Sequence, residues 1–333
     1  MTKGSSPVVV SPGAPHRLLV VLTVLAGALL SVQARVNGAL ADRLGSATLT
    51  ALVSFSVGTA AIGVVLATSG RWRAARQLPG PPPLRWWWCC GGFGGAFLVA
   101  TSAVAVPRVG VALLGVGIVA GQTLGSLAVD EVGLGPQGRQ PLTAWRLAGA
   151  VIAATALVVA ASGRSGDLHL GLLAVVALAG AGVAAQQAAN GHLQRRTGEA
   201  LVAAFVSFAV GTVALAVAAA AVGLVGGLDP SWPGLATGLY LGGLCGAAYI
   251  TLSASAVGRL GVLRLTLGTV AGQLLGAVAL DLLRPAAEGL RASTAVAAAL
   301  ALVAVVVGSR TRPPRDDHGE TVRFEAPERS VSP

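Results

Sequence analysis

Amides, rather than acids or nucleophiles, are the polar groups that this sequence repeats. Gln33 and Asn37 stand four apart and are followed by Gly38; Gln186 and Asn190 do the same before Gly191. Gln187 adjoins the second set. Gln122 and Gln273 each fall near the middle of a long apolar run. A side-chain amide is neutral and both donates and accepts hydrogen bonds. Left unpaired in hydrocarbon it costs several kcal/mol, so each amide must face a neighbouring helix or a wet cavity. Both readings stand for all of them: lining a substrate pathway, or bonding helices together. Ser54 and Ser207 are read as bonding to their own backbone carbonyls. Arg264 is singled out as a charge inside an apolar run, one turn from Gly261, where it snorkels or holds an anion or acid. Asp130, Glu131 and Asp281 stand at the ends of apolar runs. Asp130 and Asp281 are therefore weak candidates for proton coupling, with no acid read at depth.

Catalytic patterns do not accompany these residues. The chain has no phosphate-binding GxxxxGK[ST], no HExxH and no GxSxG. Gly91-Gly92-Phe93-Gly94-Gly95 lacks the Lys-Ser/Thr that a phosphate loop needs. Cys89, Cys90 and Cys245 lie in apolar stretches without a CxxC, and the four histidines do not cluster. No catalytic residue, metal site or cofactor is expected, and the chain is not read as an enzyme.

The elements that must hold the amides are membrane helices. Of 333 residues, 54% are hydrophobic and 11% charged, against roughly 25% charged in a soluble domain. Mean hydropathy is +0.76. A disordered chain and a water-soluble globule are both excluded. The net charge of +10 comes from arginines flanking the apolar runs, with Lys3 the only lysine, so nucleic acid is not an expected partner. Ten runs are long enough to cross about 30 Å of hydrocarbon: 18–37, 46–68, 86–106, 109–129, 144–161, 168–189, 200–223, 234–256, 261–281 and 291–308. They are apolar all round, which fits helices and not the alternating strands of a barrel. Ala26-Gly27-Ala28 imitates a cleavage site, but the first run is read as a retained span. The longest internal connection, Gly70–Arg85, is broken by prolines and followed by Trp86-Trp87-Trp88 at the headgroup level. Segments 1–17 and 309–333 are read as disordered cytoplasmic tails. With the N-terminus inside, 17 of the 23 Lys and Arg residues fall on the inner side, so both termini are read as cytoplasmic.

The chain repeats itself. Gln33–Thr59 matches Gln186–Thr212 without a gap at 14 of 27 positions, including Val53-Ser54-Phe55 with Val206-Ser207-Phe208. Gly91–Asp130 matches Gly242–Asp281 at 21 of 40 positions, pairing Gln122 with Gln273 and Asp130 with Asp281. Each unit, 18–161 and 168–308, holds five spans. Five is odd, so the second unit enters from the opposite side. The fold class expected is an all-α membrane protein of ten transmembrane helices in two inverted five-helix repeats, as in many secondary transporters. Gly117, Gly121 and Gly125, and likewise Gly268, Gly272 and Gly276, stand four apart. Each set makes a smooth stripe for helix packing and also for a cavity-lining, shifting helix.

The two QxxxNG…LxxxxG…VSFxVGT blocks resemble the YdcZ-type family of bacterial inner-membrane proteins, within the drug/metabolite transporter superfamily. The resemblance covers roughly residues 18–308 and implies the fused, ten-span form of a unit that works in pairs. Its motif positions here are Gln33, Asn37, Gly38, Ser54, Phe55, Gly58 and Thr59, with Gln186, Asn190, Gly191, Ser207, Phe208, Gly211 and Thr212. It implies a multi-pass protein of the bacterial inner membrane that exports a small metabolite or drug by alternating access. A non-transporting scaffold and a channel are the alternatives. Expected partners are a small-molecule substrate, the lipid bilayer, a proton as default coupling ion, and, left open, a second copy of the chain.

Overall fold

The computed structural model describes residues 16–71, 85–136, 138–162, 167–224, 232, 234, 238–283 and 291–310, with only the backbone at 253–267 and at a few helix-start positions. Residues 1–15 of the tail expected at 1–17, residues 311–333 of the tail expected at 309–333, the proline-rich 72–84 and the Arg264 side chain lie outside the described residues, while His16 and Arg17 belong to a helix and not to a disordered tail. What is described is all helical. The helices are α1 (His16–Leu44), α2 (Ala47–Ser69), α3 (Gly91–Val132), α4 (Ala144–Ala161), α5 (Asp167–Thr197), α6 (Ala200–Leu224), α7 (Gly242–Leu283) and α8 (Ala292–Gly308). Short 3₁₀ turns, Trp86–Cys90 and Leu239–Leu241, lead into α3 and α7.

Among the described residues, six helical stretches are long and apolar enough to cross a membrane: Val21–Leu44, Ala47–Ser69, Trp86–Val132, Ala144–Ala161, Leu170–Thr197 and Ala200–Leu224. Three shorter apolar ones follow, Leu239–Leu252, Gly268–Leu283 and Ala292–Gly308. Val64, Phe93, Leu178 and Val213 point their apolar side chains outward, as lipid contact requires. The α1–α2 turn is made by two residues. Gly45 takes φ +65°, a value that side-chain-bearing residues avoid. Ser46 then caps α2, its hydroxyl accepting from the Leu49 N–H at 3.2 Å.

Helix α3 has 42 residues and would measure about 63 Å if straight, twice the hydrocarbon thickness. It is not straight. Gly110 leaves helical geometry at φ 83°, ψ 168°, three residues after Pro107. The neighbours of α3 on α5 give the direction of each half. From Gly91 to Gly94 they descend from Asn190 to Gly182; from Gly117 to Gly125 they rise from Val176 to Ala181. The two halves therefore run oppositely along α5, and Gly110 is the turn between them. Where two spans are predicted at 86–106 and 109–129, one helix range covers both because a single glycine breaks it. α7 doubles back on α1 in the same way. Gly242 and Gly246 meet Asn37 and Gln33, while Gly268, Gly272 and Gly276 meet Thr23, Val24 and Ala28. Each folded-back helix thus grips the first helix of the other repeat unit.

Two seams complete the core. Between α2 and α6, Phe55 and Phe208 stack with centroids 4.9 Å apart, and the Thr59 and Thr212 hydroxyls bond at 2.9 Å. Residues at the same place in each repeat here meet each other. Between α4 and α8, Ala153, Ala156 and Ala160 face Ala297, Ala301 and Ala304, all fully buried. A Cβ on Gly149 would stand 2.6 Å from Gly308 Cα, so the two backbones touch.

Candidate functional site

The named amides collect in two places, one toward each end of the bundle. At the Gly110 end, Gln33 and Asn37 stand one turn apart on α1 and are buried. They lie against Gly246 and Gly242 of α7, where a Cβ on Gly246 would be 3.0 Å from the Gln33 amide. Gln33, Asn37, Ser31, Ser102 and Gln273 line a cavity of about 50 Å³ with apolar residues of α1 and α3. Ser31 donates to the Gln273 carbonyl at 2.6 Å, and Ser102 to the Leu98 carbonyl at 2.8 Å. Both amide atoms of Asn37 and the Ser54 hydroxyl are buried with no hydrogen-bond partner.

Asp281 closes the same end. Its carboxylate is 3% exposed and accepts from the Val111 N–H at 3.0 Å and the Ala112 N–H at 2.8 Å. These are the first free N–H groups after the break at Gly110, the positive end of a new helix. Arg35 Nη1 lies 3.7 Å from the same carboxylate. A Cβ on Gly110 would come within 2.6 Å of Asp281 Oδ2. Asp281 stands at a span end, as the sequence indicates, but it is enclosed there and ties α7 to α3 and α1.

The opposite end is looser. Gln122, Thr123, Ser126, Gln187 and Arg146 line a cavity of about 220 Å³ with residues of α7 and α8. Arg146 pairs with Asp130, whose side chain is 30% exposed against 4% for Asp281. Glu131 pairs with Arg139 in the following loop; that hydrogen bond first, and the Glu131 charge second, raise Arg139 above its ordinary value. His192, stacked on Trp88 at 5.0 Å, bonds the Leu134 carbonyl at 3.1 Å. Gln186 Nε2 donates to Ser207 Oγ at 3.0 Å. Asn190 lies against Gly91, its Oδ1 buried and unpartnered.

Gln122 and Gln273 are therefore not brought together; each serves its own cavity. The stripe Gly117, Gly121, Gly125 lies on α5, and Gly268, Gly272, Gly276 on α1. Ser54 and Ser207 depart from the expected backbone bonding. Ser207 is taken by Gln186 from the adjacent helix, and Ser54 faces Asn37 across Gly242. Arg35 was passed over in favour of Arg264, although it lies inside the first predicted span. Its repeat equivalent is Ala188, so the repeat gave no sign of its role.

The model of a family described as "Putative inner membrane exporter, YdcZ" matches residues 18–159 and again 171–308. No curated relative matches the chain.

Proposed function

The chain belongs to this family of inner-membrane exporters, and from that premise we propose that it is a secondary transporter moving a small molecule by alternating access. Membership supplies the membrane, the multi-pass form and the small-molecule substrate. The mechanism is our reading. We read α3 and α7 as two crossings each, giving ten spans in two inverted five-helix units, 18–161 and 168–308. Support comes from direction. α1 runs toward the Gly110 turn, where Gly38 abuts Val106, while α5 runs away from it past Gly117 and then Gly125. Equivalent helices of the two units so point opposite ways.

The observation that carries the proposal is the difference between the ends. The Gly110 end is tied by Asp281 to the α3 backbone and to Arg35. The other end holds the larger cavity and the more exposed Asp130–Arg146 pair. An inverted pair of units can exchange these arrangements, so that the tied end opens as the open end closes. The glycine stripes leave α3 and α7 smooth where they must slide on α5 and α1. Both termini lie in the cytoplasm by the arginine distribution, which makes the larger cavity cytoplasmic. The proton remains the coupling ion of choice, with Asp130 and Asp281 its candidate carriers. The α2–α6 seam already joins two units within one chain, so a second copy is not required.

The test is transport by the purified chain in sealed vesicles, with and without an imposed proton gradient. A carrier gives saturable movement and counterflow, and a proton-coupled one loses accumulation when the gradient collapses. Unsaturable movement down a gradient would identify a channel. No movement of any compound by folded protein would favour a scaffold.

A further inference from the structure

We infer that the cavity at the Gly110 end is a binding site for a small uncharged solute bearing both hydrogen-bond donors and acceptors, of the amide class. This rests on the transporter reading above and adds the substrate's chemistry. The first ground is what lines the cavity. Among the described residues its polar side chains are Gln33, Asn37, Gln273, Ser31 and Ser102, and no described acid, arginine or histidine joins them. An ion placed there would give up its hydration with no opposite charge to meet it. A neutral amide would instead meet groups of its own kind, which donate and accept in equal measure.

The second ground is that the site is unfinished as it stands. Asn37 is 1% exposed and Ser54 2%, yet the Asn37 amide nitrogen and oxygen and the Ser54 hydroxyl have no partner. Buried polar groups are nearly always bonded. Two unpaired atoms on a lining residue, with the Ser54 hydroxyl near them at Gly242, point to a solute that bonds the Asn37 amide. Crowding by Gly242 and Gly246 holds the Asn37 and Gln33 amides in place.

The third ground is the other repeat, where the equivalent Gln and Ser satisfy each other, although Asn190 Oδ1 is unpartnered as the Asn37 amide is. Gln186 bonds Ser207 at 3.0 Å, whereas Ser54, the equivalent of Ser207, lacks the corresponding bond and Gln33 faces the cavity. One unit's Gln–Ser bond is made while the other's is not, which leaves the Gln33 amide, unlike that of Gln186, turned to a cavity. A cavity of about 50 Å³ has room for about two waters at about 30 Å³ each, so in this conformation the solute is very small.

Three probes of one shape separate charge from size: acetamide, acetate and acetamidinium. Full-length protein in liposomes is expected to move acetamide saturably, at least tenfold faster than protein-free liposomes, and to leave the two ions at background. In detergent, acetamide is expected to raise the melting temperature with saturation, and the ions are not. Asn37→Leu, of nearly the same volume, removes both effects; Gln33→Leu weakens them, and the elution profile of each variant reports folding. Equal or faster movement of either ion overturns the inference while leaving a transporter. So does saturable transport confined to larger charged compounds, or acetamide transport unchanged in a folded Asn37→Leu variant. Acetamide binding with no movement would keep the site and overturn the transporter reading. Neither binding nor movement of any compound would overturn both.

Discussion

Asp281 carries the heaviest structural duty of any charged side chain described. Its two backbone bonds are charge-assisted and lie out of water, which makes each worth more than an ordinary hydrogen bond. Asp281→Asn keeps the shape, loses the charge, and can donate where it must accept. It should lower unfolding stability in detergent by about 1–3 kcal/mol. Asp130→Asn breaks a partly exposed pair and should cost no more than about 1 kcal/mol. Thermal melts of both variants check this, and equal losses would contradict the assigned difference. Gly110 offers a second residue-scale test. Its φ of 83° and ψ of 168° cost a side-chain-bearing residue about 1–3 kcal/mol, and its missing Cβ makes room for Asp281 Oδ2. Gly110→Ala should sharply reduce the yield of folded protein. Gly171→Ala, on α5 with open space beside it, should leave the yield unchanged. What sequence alone revealed at this scale was the type of each polar group and its repeat mate. Who bonds whom stayed hidden. Arg35 and Asp281 are 246 residues apart, and no spacing rule links them. The free state of Ser54 beside the bonded Ser207 is a difference between two nearly identical motifs, and such a difference exists only in three dimensions.

Among the elements, the two folded-back helices decide the architecture. α3 packs on α5 and α7 on α1, so neither repeat unit closes on itself. Glycines at Gly94, Gly121 and Gly125 against α5, and at Gly272 against α1, let the backbones approach to where no side chain fits. Residues 1–162 and 163–333 expressed as separate chains should therefore co-purify when made together and be poorly recovered when made alone. Independent folding of either half would contradict the crossed packing. The α2–α6 seam can be weighed by a double-mutant cycle. Phe55→Ala and Phe208→Ala should couple by about 0.5–1.5 kcal/mol, as stacked rings do; additive losses would mean the rings merely fill space. Apolar runs and glycine spacing made these helices legible from sequence. That Gly91 with Gly95 would meet Asn190 with Gln186, across the units, was not. The small-residue stripe announces close packing but does not name the partner, because any helix with a matching groove satisfies it.

At the scale of the whole molecule the repeat is the organising fact. The two ends of the bundle, each built from both units, differ: one is tied by Asp281 and the other holds the larger cavity. Symmetric sequence in asymmetric structure is what a two-state exchanger needs, since the opposite state costs little more than the same contacts made at the other end. Ser102 lines the smaller cavity and Ser126 the larger, so they report on the two ends separately. The most direct measurement is labelling of Ser102→Cys and Ser126→Cys by a membrane-impermeant maleimide, in vesicles of both orientations, with Cys89, Cys90 and Cys245 replaced. The cysteine at 126 should react from one face and the cysteine at 102 from neither. Adding Asp281→Asn should open position 102 to the opposite face and slow labelling at 126. Simultaneous access to both positions, or no response of either to Asp281→Asn, would contradict alternating access.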